Sequence, residues 1–132
     1  MSNLIHEAVE IKAVLAPQAQ AKGGNATGTY IKYPEYGVID FVVRHGALAE
    51  GKKVTVEVYQ ASAAAGTGAA EITSYETDST AGTGGATDGI IIVSVLPADV
   101  TKGYVTVKVS NDSAVDAVPI DAFAMIRKQH CK

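Results

Sequence analysis

The sequence has no tryptophan, one cysteine at position 131 and two arginines, Arg44 and Arg127. Each shortage removes a class of protein. A single cysteine excludes an intramolecular disulfide framework, so stability has to come from packing or from assembly. The 11 Lys and Arg residues are outnumbered by 14 Asp and Glu, for a formal charge of −3, which leaves no basic field to draw in a phosphate backbone. The two arginines are far apart in sequence, unlike the clustered basic and aromatic surface of a single-strand binder. Nucleic acid is therefore not an expected partner. No apolar run approaches the ~20 residues of a membrane-spanning helix. Met1 to Glu7 lack the basic flank and continuous apolar stretch of a secretory signal. The expectation is a protein made and kept in a cytoplasm, with no membrane partner.

What is present is enough for one core. A chain of 132 residues with 47% hydrophobic content fits a single domain over 1–132. Its clearest signal is Lys53 to Gln60, where Val54, Val56 and Val58 alternate with Thr55, Glu57 and Tyr59, the period of a strand with one buried face. Gly103 to Ser110 repeats the pattern with Val105, Val107 and Val109. Val38 to Val43 and Ile90 to Val95 are continuous β-branched runs, expected where a strand is covered on both faces and hence central. Val9 to Ala16, Gly28 to Lys32, Ala70 to Glu76 and Val118 to Arg127 show partial alternation between turn residues, for a total of about eight strands.

Three segments, 17–27, 62–68 and 77–89, are rich in small and polar residues without an apolar period and are expected to be loops. Residues 1–8 are expected to form an arm or a short helix, because Leu4, Ile5, Ala8 and Val9 share a helical face. The pattern is all-β, a single β-sandwich or jelly roll with an N-terminal arm.

No catalytic or cofactor motif stands out. Gly82-Thr83-Gly84-Gly85 lacks the following Lys-Ser/Thr of a phosphate loop and precedes a strand. His130 and Cys131 are metal-capable but adjacent, and His6 and His45 have no zinc spacing. Asp78 and Asp88 flank a glycine loop without the alternating oxygen ligands of a calcium loop. Neither a Gly-x-Ser-x-Gly elbow nor a fixed base for Cys131 is present. The reading is no enzyme, no metal and no cofactor. Asp40, a carboxylate inside an apolar run, must face water or be paired. Tyr30, Tyr33 and Tyr36 around Pro34 supply amphipathic rings that suit a protein interface or a sheet edge.

Three segments carry a family likeness. They are Val9-Glu10-Ile11-Lys12-Ala13-Val14-Leu15-Ala16-Pro17, the strand Val54 to Tyr59 running into Gln60-Ala61-Ser62 and Gly66-Thr67-Gly68-Ala69, and Gly103-Tyr104-Val105-Thr106-Val107-Lys108-Val109. In this order the chain resembles small structural proteins from the head-gene regions of tailed bacteriophages, a group that includes capsid decoration, or cement, proteins. The resemblance implies a β-sandwich or jelly roll on the outer capsid surface of the virion, bound to the major capsid protein and to copies of itself as a dimer or trimer. Candidate contact residues are Leu4, Ile5, His6 and Glu7, an apolar terminus, and Tyr30, Tyr33 and Tyr36. Competing expectations are a tail or connector component, which would assemble into rings or tubes, and a sugar-binding β-sandwich module, against which the absence of tryptophan counts.

Overall fold

Valine alternation builds the centre of the molecule. In the computed structural model, which describes residues 9–34 and 37–128, Val56 and Val58 of β5 (Lys53–Ala61) pair in register with Val109 and Val107 of β9 (Tyr104–Asn111), and these four are fully buried together with Val54 and Val105 of the same strands. One face of each strand thus enters the core while Thr55, Glu57 and Tyr59 stay on the other. Branched side chains suit this pleated, half-buried surface.

The remaining strands are β1 (Val9–Gln20), β2 (Asn25–Thr27), β3 (Ile31–Lys32), β4 (Gly37–His45), β6 (Ala70–Glu71), β7 (Thr77–Thr80), β8 (Gly89–Val95) and β10 (Val118–Lys128). All pairings are antiparallel, and they form two sheets, one ordered β1-β10-β4-β8 and the other β2-β9-β5-β6, with β3 also on β9 and β7 also on β5. Because β2 and β3 share one side of β9, and β6 and β7 one side of β5, each pair fills a single column. Numbered along the chain, the columns then run 1-8-3-6 in one sheet and 2-7-4-5 in the other, which is jelly-roll connectivity. The all-β sandwich expected from the sequence is the fold, with ten strands among the described residues in place of about eight.

A continuous cluster from Val14 and Leu15 through Phe41 and Val43 to Ile126 fills the space between the sheets. Tyr33 spans the layers. It follows β3 in one sheet, and its hydroxyl donates to the carbonyls of Val95 and Gly37 in the other. At the opposite end, Gln20 Nε2 donates to Val109 O at 3.0 Å and Asn111 Nδ2 donates to Gln20 Oε1 at 2.7 Å, a buried pair that ties the end of β1 to β9.

Several local expectations need correction. Residues 17–27 are not one loop. β1 continues through Gln20 and β2 begins at Asn25. Pro17 is tolerated because β1 is an edge strand and Pro17 lies in a break in register between Leu15 and Gln18, where no ladder bond is asked of it. Residues 77–89 include β7, whose polar Thr-Asp-Ser-Thr pairs along Lys53 to Val56. Residues 62–68 lie outside the strands, as expected of a loop. The Ala70 to Glu76 run is cut short because the chain turns into a 3-10 helix at Thr73–Tyr75.

The second β-branched run differs most from expectation. β4 is internal to its sheet, but β8 is an edge strand, and its outward Ile90 and Ile92 are 64% and 63% exposed. The arm expected over 1–8 lies outside the described residues.

Candidate protein interface

The site follows from the pairing of the four-stranded sheet. Antiparallel partners share a face, so the register places Ala13, Phe123, Val42 and Ile92 in one row across β1, β10, β4 and β8. The next row is Ile11, Met125, Asp40 and Ser94. Beyond it Val9, Arg127 and Val38 align, and at the other end Asp121, Arg44 and Ile90. The opposite sides of these strands, carrying Ala122, Ala124, Ile126, Ile39, Phe41, Val43, Ile91 and Val93, are in the core. The rows therefore form an outer face, and its flanks are apolar and open. Ile11 is 65% exposed and Val9 47%, matching the exposed isoleucines of β8 on the far side.

Two ion pairs frame the apolar rows. Arg44 reaches Asp121 through Nε, at 2.9 Å, and through Nη2. Arg127 Nε donates to Asp40 Oδ2 at 3.0 Å, while Ser94 Oγ donates to Asp40 Oδ1 at 2.6 Å. The carboxylate in the middle of β4 is thus paired on the outer face, as its apolar surroundings require. In both pairs the carboxylate is the more covered partner, with side-chain exposures of 14% for Asp121 and 15% for Asp40 against 57% for Arg44 and 51% for Arg127. The guanidinium of Arg44 carries a pKa raised by its hydrogen bonds to, and attraction for, Asp121. At this end the face opens into a cleft of about 530 Å³ between Pro17, Ile90 and Pro119, with Arg44 and Asp121 among its walls. An apolar centre with Arg and hydrogen-bonded carboxylates around it has the anatomy of a protein-binding surface.

The residues singled out from the sequence fall elsewhere. Leu4, Ile5, His6, Glu7 and Tyr36 lie outside the described residues. Tyr33 is buried at 8% exposure, its hydroxyl bonded as above and its pKa pushed up to about 12, chiefly by burial. Its ring belongs to the core and offers no surface to a partner. Tyr30 is half-buried on the six-stranded sheet, against Gly66, its pKa raised by burial and then by nearby Tyr59. Sequence reasoning missed Ile11, Phe123, Met125, Ile90 and Ile92. Their signal was the unbroken Ile90-Ile91-Ile92-Val93 run, which asks for cover on both faces while the described residues leave Ile90 and Ile92 open on one.

The six-stranded sheet holds a second cluster. Carboxylate oxygens of Glu57, Glu71 and Glu76 lie within 4.8 Å of one another, and Glu71 is the strand partner of Tyr59. Burial first, then repulsion from Glu57 and Glu76, raises the Glu71 pKa. When Glu71 is ionised, its Oε2 is a buried acceptor without a donor. Protonation lets it share a hydrogen bond with either neighbour. Three such carboxylates are also an oxygen-donor set of the kind hard cations take.

No protein-family model matches the sequence, and no curated protein matches it either. The fold does have counterparts. The structure of infectious bursal disease virus, Gx strain, aligns over 94% of this chain with a TM-score of 0.56 and 8% identity. T=1 particles derived from the same virus align over 91% with a TM-score of 0.56 and 8% identity. The chain spans about a third of the length of those particle proteins, 33% and 31% respectively. The C-terminal CBM6 of a laminarinase from Zobellia galactanivorans aligns over 90% of this chain and 99% of its own, at 14% identity and a TM-score of 0.46. These likenesses are of β-sandwich fold alone.

Proposed function

We propose that this chain is a virion structural protein that attaches to the outside of a tailed-phage head and stabilises it, as a decoration or cement protein does. The observation that carries the reading is the outer face of the four-stranded sheet, where, among the described residues, Ile11, Ile90 and Ile92 stand more than half exposed in ordered rows with the half-buried Phe123 and Met125. A monomer rarely leaves an extended apolar face open without a partner for it. The three phage-like segments of the sequence point that partner to a virion, and the jelly roll is compatible with it.

Such a protein works by binding energy, not by turnover. An individual contact need not be strong. Linking several weak contacts in a dimer or trimer strengthens attachment to a symmetric shell by roughly 10²–10⁴ over one contact. The test is co-sedimentation of the purified chain with empty phage shells that lack their decoration protein. Saturable binding at a fixed ratio, with added resistance of the shells to heat, is the expected result. Assembly of the chain by itself into rings or tubes, with no shell binding, would instead make it a tail or connector component.

One observation favours a second reading, a sugar-binding module. Tyr30 and Tyr59 lie together on the six-stranded sheet beside the carboxylates of Glu71 and Glu57, a pairing of ring faces with hydrogen-bond acceptors. Retardation of the chain in polysaccharide-loaded native gels, abolished by Tyr59→Ala, would select this reading.

A further inference from the structure

We infer that the cleft at the Asp121 end of the four-stranded sheet is a pocket for a basic side chain, a lysine or arginine that a partner protein presents between apolar residues. The inference rests on reading the outer face as a protein interface and deepens it, because it names the chemistry of the segment that this end receives.

All four strands of the sheet contribute to the cleft. Pro17 and Gln18 come from the break in β1, Pro119 from β10 and Ile90 from β8, while Gly46 follows the end of β4. The walls are held in place by the chain itself. Gly46 N donates to Pro119 O at 2.8 Å, and Nδ1 of the buried His45 lies 2.8 Å from Gly46 O. Two bare backbone positions let the rings come this close. A β-carbon at Gly46 would stand 2.9 Å from the Pro119 ring, and one at Gly89 would stand 2.3 Å from His45 Nε2. A side chain at either glycine would displace a ring that forms the wall.

The space so enclosed, about 530 Å³, falls within the roughly 300–1,000 Å³ of clefts that hold ligands. Its surface is mixed. The two proline rings and Ile90 are apolar and suit the methylene stem of a long basic side chain, which packs on apolar surface while its charged head keeps polar company. Gln18 adds a polar point, since its Nε2 donates to Ala16 O while its Oε1 accepts nothing from the described residues.

Charge decides what enters. Two carboxylates, Asp88 and Asp121, and one guanidinium, Arg44, line the cleft. Arg44 is bonded to Asp121 through Nε and Nη2, so their charges cancel. Asp88 is exposed and has no hydrogen-bond or ion-pair partner among the described residues. The cleft therefore carries one uncompensated negative charge. An anionic group would find Arg44 already engaged, whereas an ammonium or guanidinium meets a free carboxylate. The chain's formal charge of −3 draws a cationic segment in the same direction.

The test is a nuclear magnetic resonance titration of the intact, isotope-labelled chain with two short peptides, acetyl-Leu-Lys-Val-amide and the same peptide with norleucine in place of lysine. Norleucine keeps the apolar stem and drops the charge. The readout is the backbone amide signals of Gly46, Gly89 and Ile90. The lysine peptide is expected to shift them saturably, with a Kd on the order of 1 mM. It should bind about 3–5-fold more tightly than the norleucine peptide, the upper part of the range for one exposed ion pair. Asp88→Asn should bring the two peptides to equal affinity, and so should salt at about 1 M, where charges are screened beyond about 3 Å. Because Asp88 holds no hydrogen bond among the described residues, the variant should melt with the parent. The absence of saturable shifts overturns the inference. So does equal binding of both peptides by the parent, or a lysine preference that survives in Asp88→Asn or at high salt. Co-sedimentation with empty shells separates this result from the decoration reading. A chain that prefers the lysine peptide but binds no shell keeps the basic pocket and removes the decoration role, and shell binding without that preference does the reverse.

Discussion

Asn111 and Gln20 are 91 residues apart in sequence and share a hydrogen bond of 2.7 Å between the end of β9 and the end of β1. Asn111 uses its whole side chain. Its Nδ2 also donates to Ala21 O, and its Oδ1 accepts from the backbone N–H groups of Gly23 and Ser113. Gln20 completes the set by donating to Val109 O. Two buried amides are thus satisfied at a place where the two sheets are joined. Asn111→Ala strands Gln20 Oε1 and two N–H groups. The expected loss is about 1–3 kcal/mol, the cost of leaving buried polar groups unpaired. Urea unfolding with an unchanged slope would report it, and a loss near zero would show that water takes over the network.

Gly28 is the tightest backbone passage. A β-carbon there would stand 2.2 Å from Val14 Cγ1 and 2.8 Å from Thr106 Oγ1. Thr106 is fully buried, and its hydroxyl has no hydrogen-bond partner to give up in exchange. Gly28→Ala should destabilise by about 1–3 kcal/mol through overpacking, although in an unhindered strand the same change is favourable. Thermal melting of the variant decides the sign.

Glu71 gives the protein a pH dependence. Its pKa in the folded chain is raised above the ordinary 4.5 by burial and by Glu57 and Glu76. The folded state therefore binds more protons than the unfolded state once the pH passes that ordinary value, and stability from this group falls as the pH rises through the raised pKa. Glu71→Gln removes the effect. The variant should melt above the parent at pH 7, and the difference should close as the pH is lowered below 4.5. Equal melting temperatures at pH 7 would mean that the three carboxylates are relieved by another route, such as a bound cation.

The outer isoleucines should matter little to folding. Ile11 and Ile92 are 65% and 63% exposed, so Ile11→Lys and Ile92→Lys are expected to change stability by no more than about 0.5 kcal/mol. A large loss in either would place these side chains in the core and remove the open face. Circular dichroism melts of dilute protein provide the measurement.

These positions also show what the sequence can reveal of this fold. Alternation at Val54, Val56 and Val58 and at Val105, Val107 and Val109 marked the central pair of one sheet, because a period of two follows from the pleat of a single strand. Sheet order is not written in any one strand. Ile90 to Val95 carries apolar residues on both sides, which locally looks the same whether the second side meets this chain or another molecule. The Pro17 to Thr27 segment hid the end of β1, since an edge strand with a break in register needs no apolar period.

The candidate site was less legible than the fold. Its rows draw on residues as distant as Ile11 and Met125, brought together only by the return of β10 between β1 and β4. Tyrosine clustering pointed instead to Tyr33, whose ring packs in the core because Gly37 and Val95 offer carbonyls to its hydroxyl. Asp40 was readable. A carboxylate in an apolar run has to be paired, and Arg127 and Ser94 pair it.

Whether protein covers the outer face of the four-stranded sheet in the working state is read most directly by covalent footprinting of the intact chain, dilute and free or bound to empty shells. Ile11, Ile92 and Met125 should label readily in the free chain and be protected in the bound one. Equal labelling of these three in both states, with protection confined to Tyr30 and Tyr59 on the other sheet, would contradict the account.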